Sequence, residues 1–175
     1  MQQKTRCTNY YAVQWLWSFV TGSCRHWCTR LPKRIHMSLT IASLNVRGLR
    51  DNTKRREMFT WLCAKHFSIY MLQEVHCTDN TNSVWSAEWG YQAIFSNYKS
   101  NKAGVCILFN NNFKLQIEKV FIDTQGRFII CDIRTNETSL TLANIYAPNA
   151  DNPAIFLDLF DHLADLKGDY FRRRL

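Results

Sequence analysis

Few residues of this 175-residue chain break local structure: it has three prolines and six glycines. That composition excludes collagen-like and low-complexity architectures, and no segment repeats another. No run approaches the roughly 20 apolar residues of a membrane-spanning helix. The nearest, residues 10–21, is short and interrupted by Gln14, so neither a secretory leader nor a membrane partner is expected. The seven cysteines are odd in number and lack the spacing of a disulfide framework. Cys24 and Cys28, with Cys7 and His26, have no second pair to complete a tetrahedral zinc site. Cys63, Cys77, Cys106 and Cys131 read as reduced thiols, which suits a nuclear or cytoplasmic protein.

Acidic residues are absent from one stretch altogether. Residues 1–36 hold six basic side chains and no Asp or Glu, which leaves sixteen basic and fourteen acidic groups for residues 37–175. The net charge of +8 is thus concentrated in that extension and in Arg172-Arg173-Arg174. Charge alone says little about what the central part binds. Residues 1–36, rich in Trp and Cys and without a clean period, are expected to be an extension with no fold of its own. Residues 37–169 are expected to form the domain, with 170–175 a basic tail.

The feature that organises the chain is Ile69-Tyr-Met-Leu-Gln-Glu-Val-His76. A short apolar run of this kind is a strand buried on both faces. It runs straight into Glu74, and a carboxylate is costly to bury there without a partner. A divalent cation, which wants hard oxygen ligands, is one such partner. Residues 39–44 form a second buried strand, left through Asn45-Val-Arg-Gly48. Asp51 or Asn52 caps a helix over residues 53–65, whose inner face is Met58, Phe59 and Leu62. Strand, helix, strand is a βαβ unit, so Asn45 and Glu74 leave neighbouring strands at the same sheet edge. Ligands bind at such edges.

Further on, residues 78–88 suggest a short helix with Val84, Trp85 and Trp89 turned inward. Strands follow over residues 91–95 and 104–109. Then residues 114–123, 127–134 and 139–146 make an antiparallel meander. Pro153 opens a last helix with a core stripe of Ile155, Leu159, Leu163 and Leu166, ending at Gly168.

Three motifs now stand in order: Ser43-Leu-Asn-Val-Arg-Gly-Leu-Arg50, Leu72-Gln-Glu-Val-His76 and Asn144-Ile-Tyr-Ala-Pro-Asn149. Together they resemble the endonuclease/exonuclease/phosphatase superfamily, with its deoxyribonuclease I-like fold. The wording is most similar to the endonuclease domain of non-LTR (LINE-type) retrotransposons, over about residues 38–168. The resemblance implies Mg²⁺-dependent hydrolysis of DNA phosphodiesters, with Mn²⁺ as an alternative ion. It implies that Glu74 is the metal ligand, assisted by Asn45. Tyr146 and Asn149 would contact the scissile phosphate, with Asn144 at the same rim, and Arg127 would serve a structural or backbone-contacting role. Arg47 stands where many abasic-site relatives carry Asp, so that second carboxylate does not transfer. A phosphoesterase acting on lipids or nucleotides shares the superfamily site.

The family's second-half motifs, Gly-Asp-Phe-Asn and Ser-Asp-His, are missing. The expectation is therefore an α+β chain forming half of a four-layer α/β/β/α sandwich. It would be one mixed, largely antiparallel sheet with flanking helices. Such a truncated product would be inactive alone, or a non-catalytic remnant that binds nucleic acid or protein weakly. Its sheet face would be bare and open to self-association. His76 reads as a loop residue, and His66 and His162 as surface.

Overall fold

The computed structural model describes residues 27–30, 39–99, 102–111, 114–135, 138–147 and 153–172. The βαβ unit forms as its pattern requires. β2 (Thr40–Asn45) and β3 (Ile69–Gln73) are parallel neighbours, joined by α1 (Asn52–Lys65). Asp51 caps α1, accepting the Lys54 backbone N–H at 2.7 Å, and His66 in a left-handed conformation ends it. A turn of 3₁₀ helix and α2 (Asn82–Trp89) lead into β4 (Ala93–Ser96) and β5 (Val105–Phe109). Of the three side chains expected to turn inward from α2, Trp85 and Trp89 are buried and Val84 is exposed. β1 (Trp27–Arg30) pairs antiparallel with β2, so the sheet extends into the segment expected to lack structure. The order of this five-stranded sheet is β1-β2-β3-β5-β4.

The α+β class and the flanking helices stand, but the single sheet does not. The meander, β6 (Gln116–Ile122), β7 (Phe128–Arg134) and β8 (Ser139–Ile145), is a separate three-stranded sheet. It lies face to face on the first. Ile69, Met71, Val105 and Ile107 from one sheet meet Ile129, Cys131, Ile133 and Leu142 from the other. α3 (Ala154–Arg172) runs past Gly168 and packs Ile155 and Leu159 inward, Leu159 against Phe128 and Ile130 on the far face. The described residues thus stack four layers: α1 and α2, five strands, three strands, α3. The face expected to be bare is covered by the meander, which removes the ground for self-association through it.

A break in alternation explains how one strand, β6, serves two cores. Ile117 and Phe121 are four residues apart and would share a face in a regular strand. A bulge between Ile117 and Lys119 turns Phe121 to the α3 side, while Ile117 stays in the inter-sheet core. There Phe121 stacks on Phe128 and lies 3.7 Å from the His162 ring, so His162 is packed rather than a surface residue.

The outer core under α1 and α2 is aromatic. Trp89 meets Phe59 and Tyr70 edge to face, and its indole N–H donates to the Phe109 carbonyl at 2.9 Å. Leu62 is wholly buried here, and truncating it to Ala costs about 2–5 kcal/mol in such sites.

Candidate functional site

Four loops meet at the edge where β2 and β3 end. The backbone of Val46, Gly48 and Leu49 donates to the carbonyls of Gln73, Glu74 and Val75. Val75 and His76 in turn donate to Gly104 and Ala103, and Gly104 donates to Gly126. The knot uses conformations that L-residues avoid. Arg47, Glu74, His76 and Ala103 all have positive φ, between 49° and 58°. Outside glycine such angles are uncommon and strained, and they cluster where surrounding structure enforces them. Gly126 has φ +68°, and a Cβ there would sit 2.9 Å from the Tyr98 Cβ and 3.0 Å from the Gly104 nitrogen. Only glycine lets these two turns touch.

Glu74 is half-buried at the centre of this edge. Asn45 donates its amide to Glu74 Oε1 at 2.7 Å, as the βαβ geometry requires, and accepts the Arg47 backbone N–H at 3.0 Å. From the second sheet, the Tyr146 phenol comes near the same carboxylate. Burial, and then the Glu74 charge and hydrogen bond, raise the Tyr146 phenol above its ordinary value. Tyr146 is held by its backbone N–H donating to the Arg127 carbonyl at 2.7 Å. Three predicted residues from β2, β3 and the end of β8 therefore converge. Asn149 lies outside the described residues.

Asn144 corrects the expectation. It is buried between the sheets, 1% exposed, rather than on the rim. Its amide donates to the carbonyls of Leu72 at 3.0 Å and Cys106 at 2.8 Å, and its oxygen accepts from Gln73 Nε2 at 2.6 Å. Gln73 also donates to Ser43 Oγ at 3.0 Å. The sequence carried one signal for Gln73: a polar side chain inside a strand otherwise apolar on both faces.

Around the edge the electrostatics divide by role. Arg127 binds Asp123 through Nε at 3.0 Å and Nη2 at 2.7 Å, reaches Asp158 at 3.1 Å, and is structural. Burial pushes the Asp123 carboxyl up, but the Arg127 bonds and charge outweigh it and hold the group below its usual range. Arg55, 4% exposed, was not foreseen as a core residue. It pairs with Glu88 at 2.5 Å, donates to the Leu49 and Arg50 carbonyls, and lies over the Trp85 ring. His76 sits two residues from Glu74; burial, with Lys54 and Arg50, lowers its pKa against the pull of Glu74. Burial raises the Cys131 thiol to about 12, and Cys106 well above the usual value, so both are inert core thiols.

Glu74 offers oxygen lone pairs in a polar, half-buried setting, which suits a hard cation that keeps most of its waters. Among the described residues no three His, Cys, Asp or Glu side chains gather, so a softer, multi-ligand metal has no set of donors there. Nor is any described helix long and apolar enough to cross a membrane.

No protein-family profile matches the chain. Over 112 residues it is 28% identical to the transposon TX1 uncharacterized 149 kDa protein of Xenopus laevis, covering 64% of this chain. The chain spans only 9% of that relative's length. Among solved structures it matches the endonuclease domain of TRAS1, a telomere-specific non-LTR retrotransposon, with TM-score 0.49 and 13% identity. That match covers 70% of this chain and 52% of the domain. The chain is thus similar in sequence to part of a transposon-borne protein.

Proposed function

We propose that this chain carries the metal- and phosphate-binding part of a retrotransposon-type DNA endonuclease that hydrolyses phosphodiesters with Mg²⁺ or Mn²⁺. The observation that supports it most is Glu74. It is a half-buried carboxylate at a strand exit, held at φ 53° and hydrogen-bonded by neutral Asn45, with the Tyr146 phenol beside it. Glu74 would hold the ion, and Asn45 fixes the carboxylate's direction. A bound Mg²⁺ would relieve charge on the scissile phosphate. The Tyr146 phenol keeps its proton at neutral pH, because its pKa is raised. It therefore serves as a neutral donor to a phosphate oxygen, joined by the Asn149 amide.

The sequence contains neither Gly-Asp-Phe-Asn nor Ser-Asp-His, the segments from which the family draws its water-activating groups. We therefore expect little cleavage by these 175 residues alone; the alternative reading is a non-catalytic chain that binds nucleic acid. Plasmid nicking in Mg²⁺ separates the two, run with the chain alone and with a retrotransposon endonuclease second half added in trans. Nicking that appears with the added half and is lost in Glu74→Ala supports the endonuclease reading. Plasmid binding without nicking under either condition supports the non-catalytic reading.

A further inference from the structure

The two sheets of the sandwich bring Glu74 and Tyr146 together, yet neither residue sets the distance between the sheets. Most of the inter-sheet core is aliphatic: Ile, Val, Leu and Met side chains. Apolar contacts of this kind are non-directional and tolerate sliding more than hydrogen bonds do. Directional contacts join the sheets at their borders, Ser96 Oγ to the Asp123 carbonyl at 2.5 Å and Gly104 N–H to the Gly126 carbonyl at 3.1 Å, and an amide pair is set into the core itself, at its site end. Gln73 precedes Glu74 directly, and Asn144 lies two residues before Tyr146 on the same face of its strand. Their amides meet at 2.6 Å, with Gln73 5% and Asn144 1% exposed. The Asn144 nitrogen also reaches the carbonyls of two different strands of the facing sheet, at Leu72 and Cys106. Gln73 spans to Ser43 on β2, the strand that ends in Asn45.

We infer that Gln73 and Asn144 form a buried amide clamp that fixes the register between the sheets and so sets the spacing of Glu74 and Tyr146. They are positioning residues, removed from the reacting atoms. The inference rests on the reading of Glu74 and Tyr146 as one site. Its physical basis is that a buried amide left unpaired is costly, so any slide of one sheet over the other must break several bonds at once. A packed aliphatic core by itself meets no such cost for a small shift.

The test replaces both amides together, because removing one would strand the other and risk unfolding, whereas replacing both partners by apolar groups can be nearly neutral. In Gln73→Leu/Asn144→Leu the chain is expected to keep a cooperative thermal transition. The NMR contact between the Tyr146 ring and the Glu74 methylenes, assigned with Tyr146→Phe, should disappear. Paramagnetic broadening of the Tyr146 ring by Mn²⁺ should need about tenfold more ion. The exchanged pair Gln73→Asn/Asn144→Gln keeps one long and one short amide and is expected to restore the contact. A double-leucine variant that folds and retains both the contact and the wild-type Mn²⁺ titration overturns the clamp. Failure of Mn²⁺ to broaden Tyr146 in the wild-type chain counts instead against the metal reading. The Tyr146–Glu74 contact still reports on the clamp in that case.

Discussion

Asp123 and Glu74 are carboxylates at strand ends of the same molecule, and they have been given opposite surroundings. Asp123 is 6% exposed and is enclosed by cationic and N–H donors: the Arg127 guanidinium and the backbone of Gln125 and Arg127. Glu88 is treated likewise by Arg55. Glu74 receives its side-chain hydrogen bond from the Asn45 amide and has the Tyr146 phenol near it, both neutral. A carboxylate neutralised by a guanidinium is finished as a structural element, whereas one held in place by neutral donors keeps its charge available.

The sharpest way to break that contrast is at Glu74. Glu74→Gln is expected to lower metal-dependent nicking, measured with the second half in trans, by at least about a hundredfold, since a metal ion supplies several kcal/mol to such a transition state. Thermal stability should stay within about 1 kcal/mol, because the cost of burying the charge goes with it. A large loss of stability with unchanged ion binding would instead class Glu74 with Asp123.

Arg55→Ala should do the reverse. It takes the main partner from Glu88, which keeps only a 3.6 Å contact to Arg56, and strips a donor from two loop carbonyls, so chemical denaturation should report a loss of about 3 kcal/mol. A smaller effect, about 2 kcal/mol, is expected for Gly126→Ala, which forces φ +68° on an L-residue and drives a Cβ against Tyr98. Urea midpoints would measure it, and a neutral result would show that the knot of turns yields easily.

The mildest effect should appear in the pH dependence. The folded pKa of Asp123 is depressed, so its pairing with Arg127 contributes stability that is fully present above the unfolded value near 3.8 and is lost as the pH falls through the folded value. Asp123→Asn should therefore be less stable than wild type at pH 6 and close the gap as the pH falls below about 4. Urea midpoints across pH 2–6 would show it. A gap that stays constant over that range would mean Arg127 does not favour the charged form.

Much of the site was legible in the chain because its causes are local. A strand-helix-strand pattern admits one handedness and one sheet edge, so Asn45 had to lie beside Glu74, and the two are 2.7 Å apart. For Arg127 the family resemblance left a structural and a backbone-contacting role open, and its partners Asp123 and Asp158 were not legible. Arg55 was missed because a basic residue in the sequence Lys-Arg-Arg reads as a solvated helix face. Its burial depends on Glu88, 33 residues away.

The sequence by itself determined most of the strands, the helices apart from the end of α3, and the motif residues, because alternation, caps and turn residues act over a few neighbours. Whether the meander continued the first sheet or lay across it was a tertiary decision. Edge-to-edge pairing and face-to-face packing bury the same alternating strands, and local pattern does not distinguish them. That decision moved Asn144 from the expected rim to the interior, where it joins Gln73 across the core. It also brought the Tyr146 phenol to a carboxylate on the other sheet.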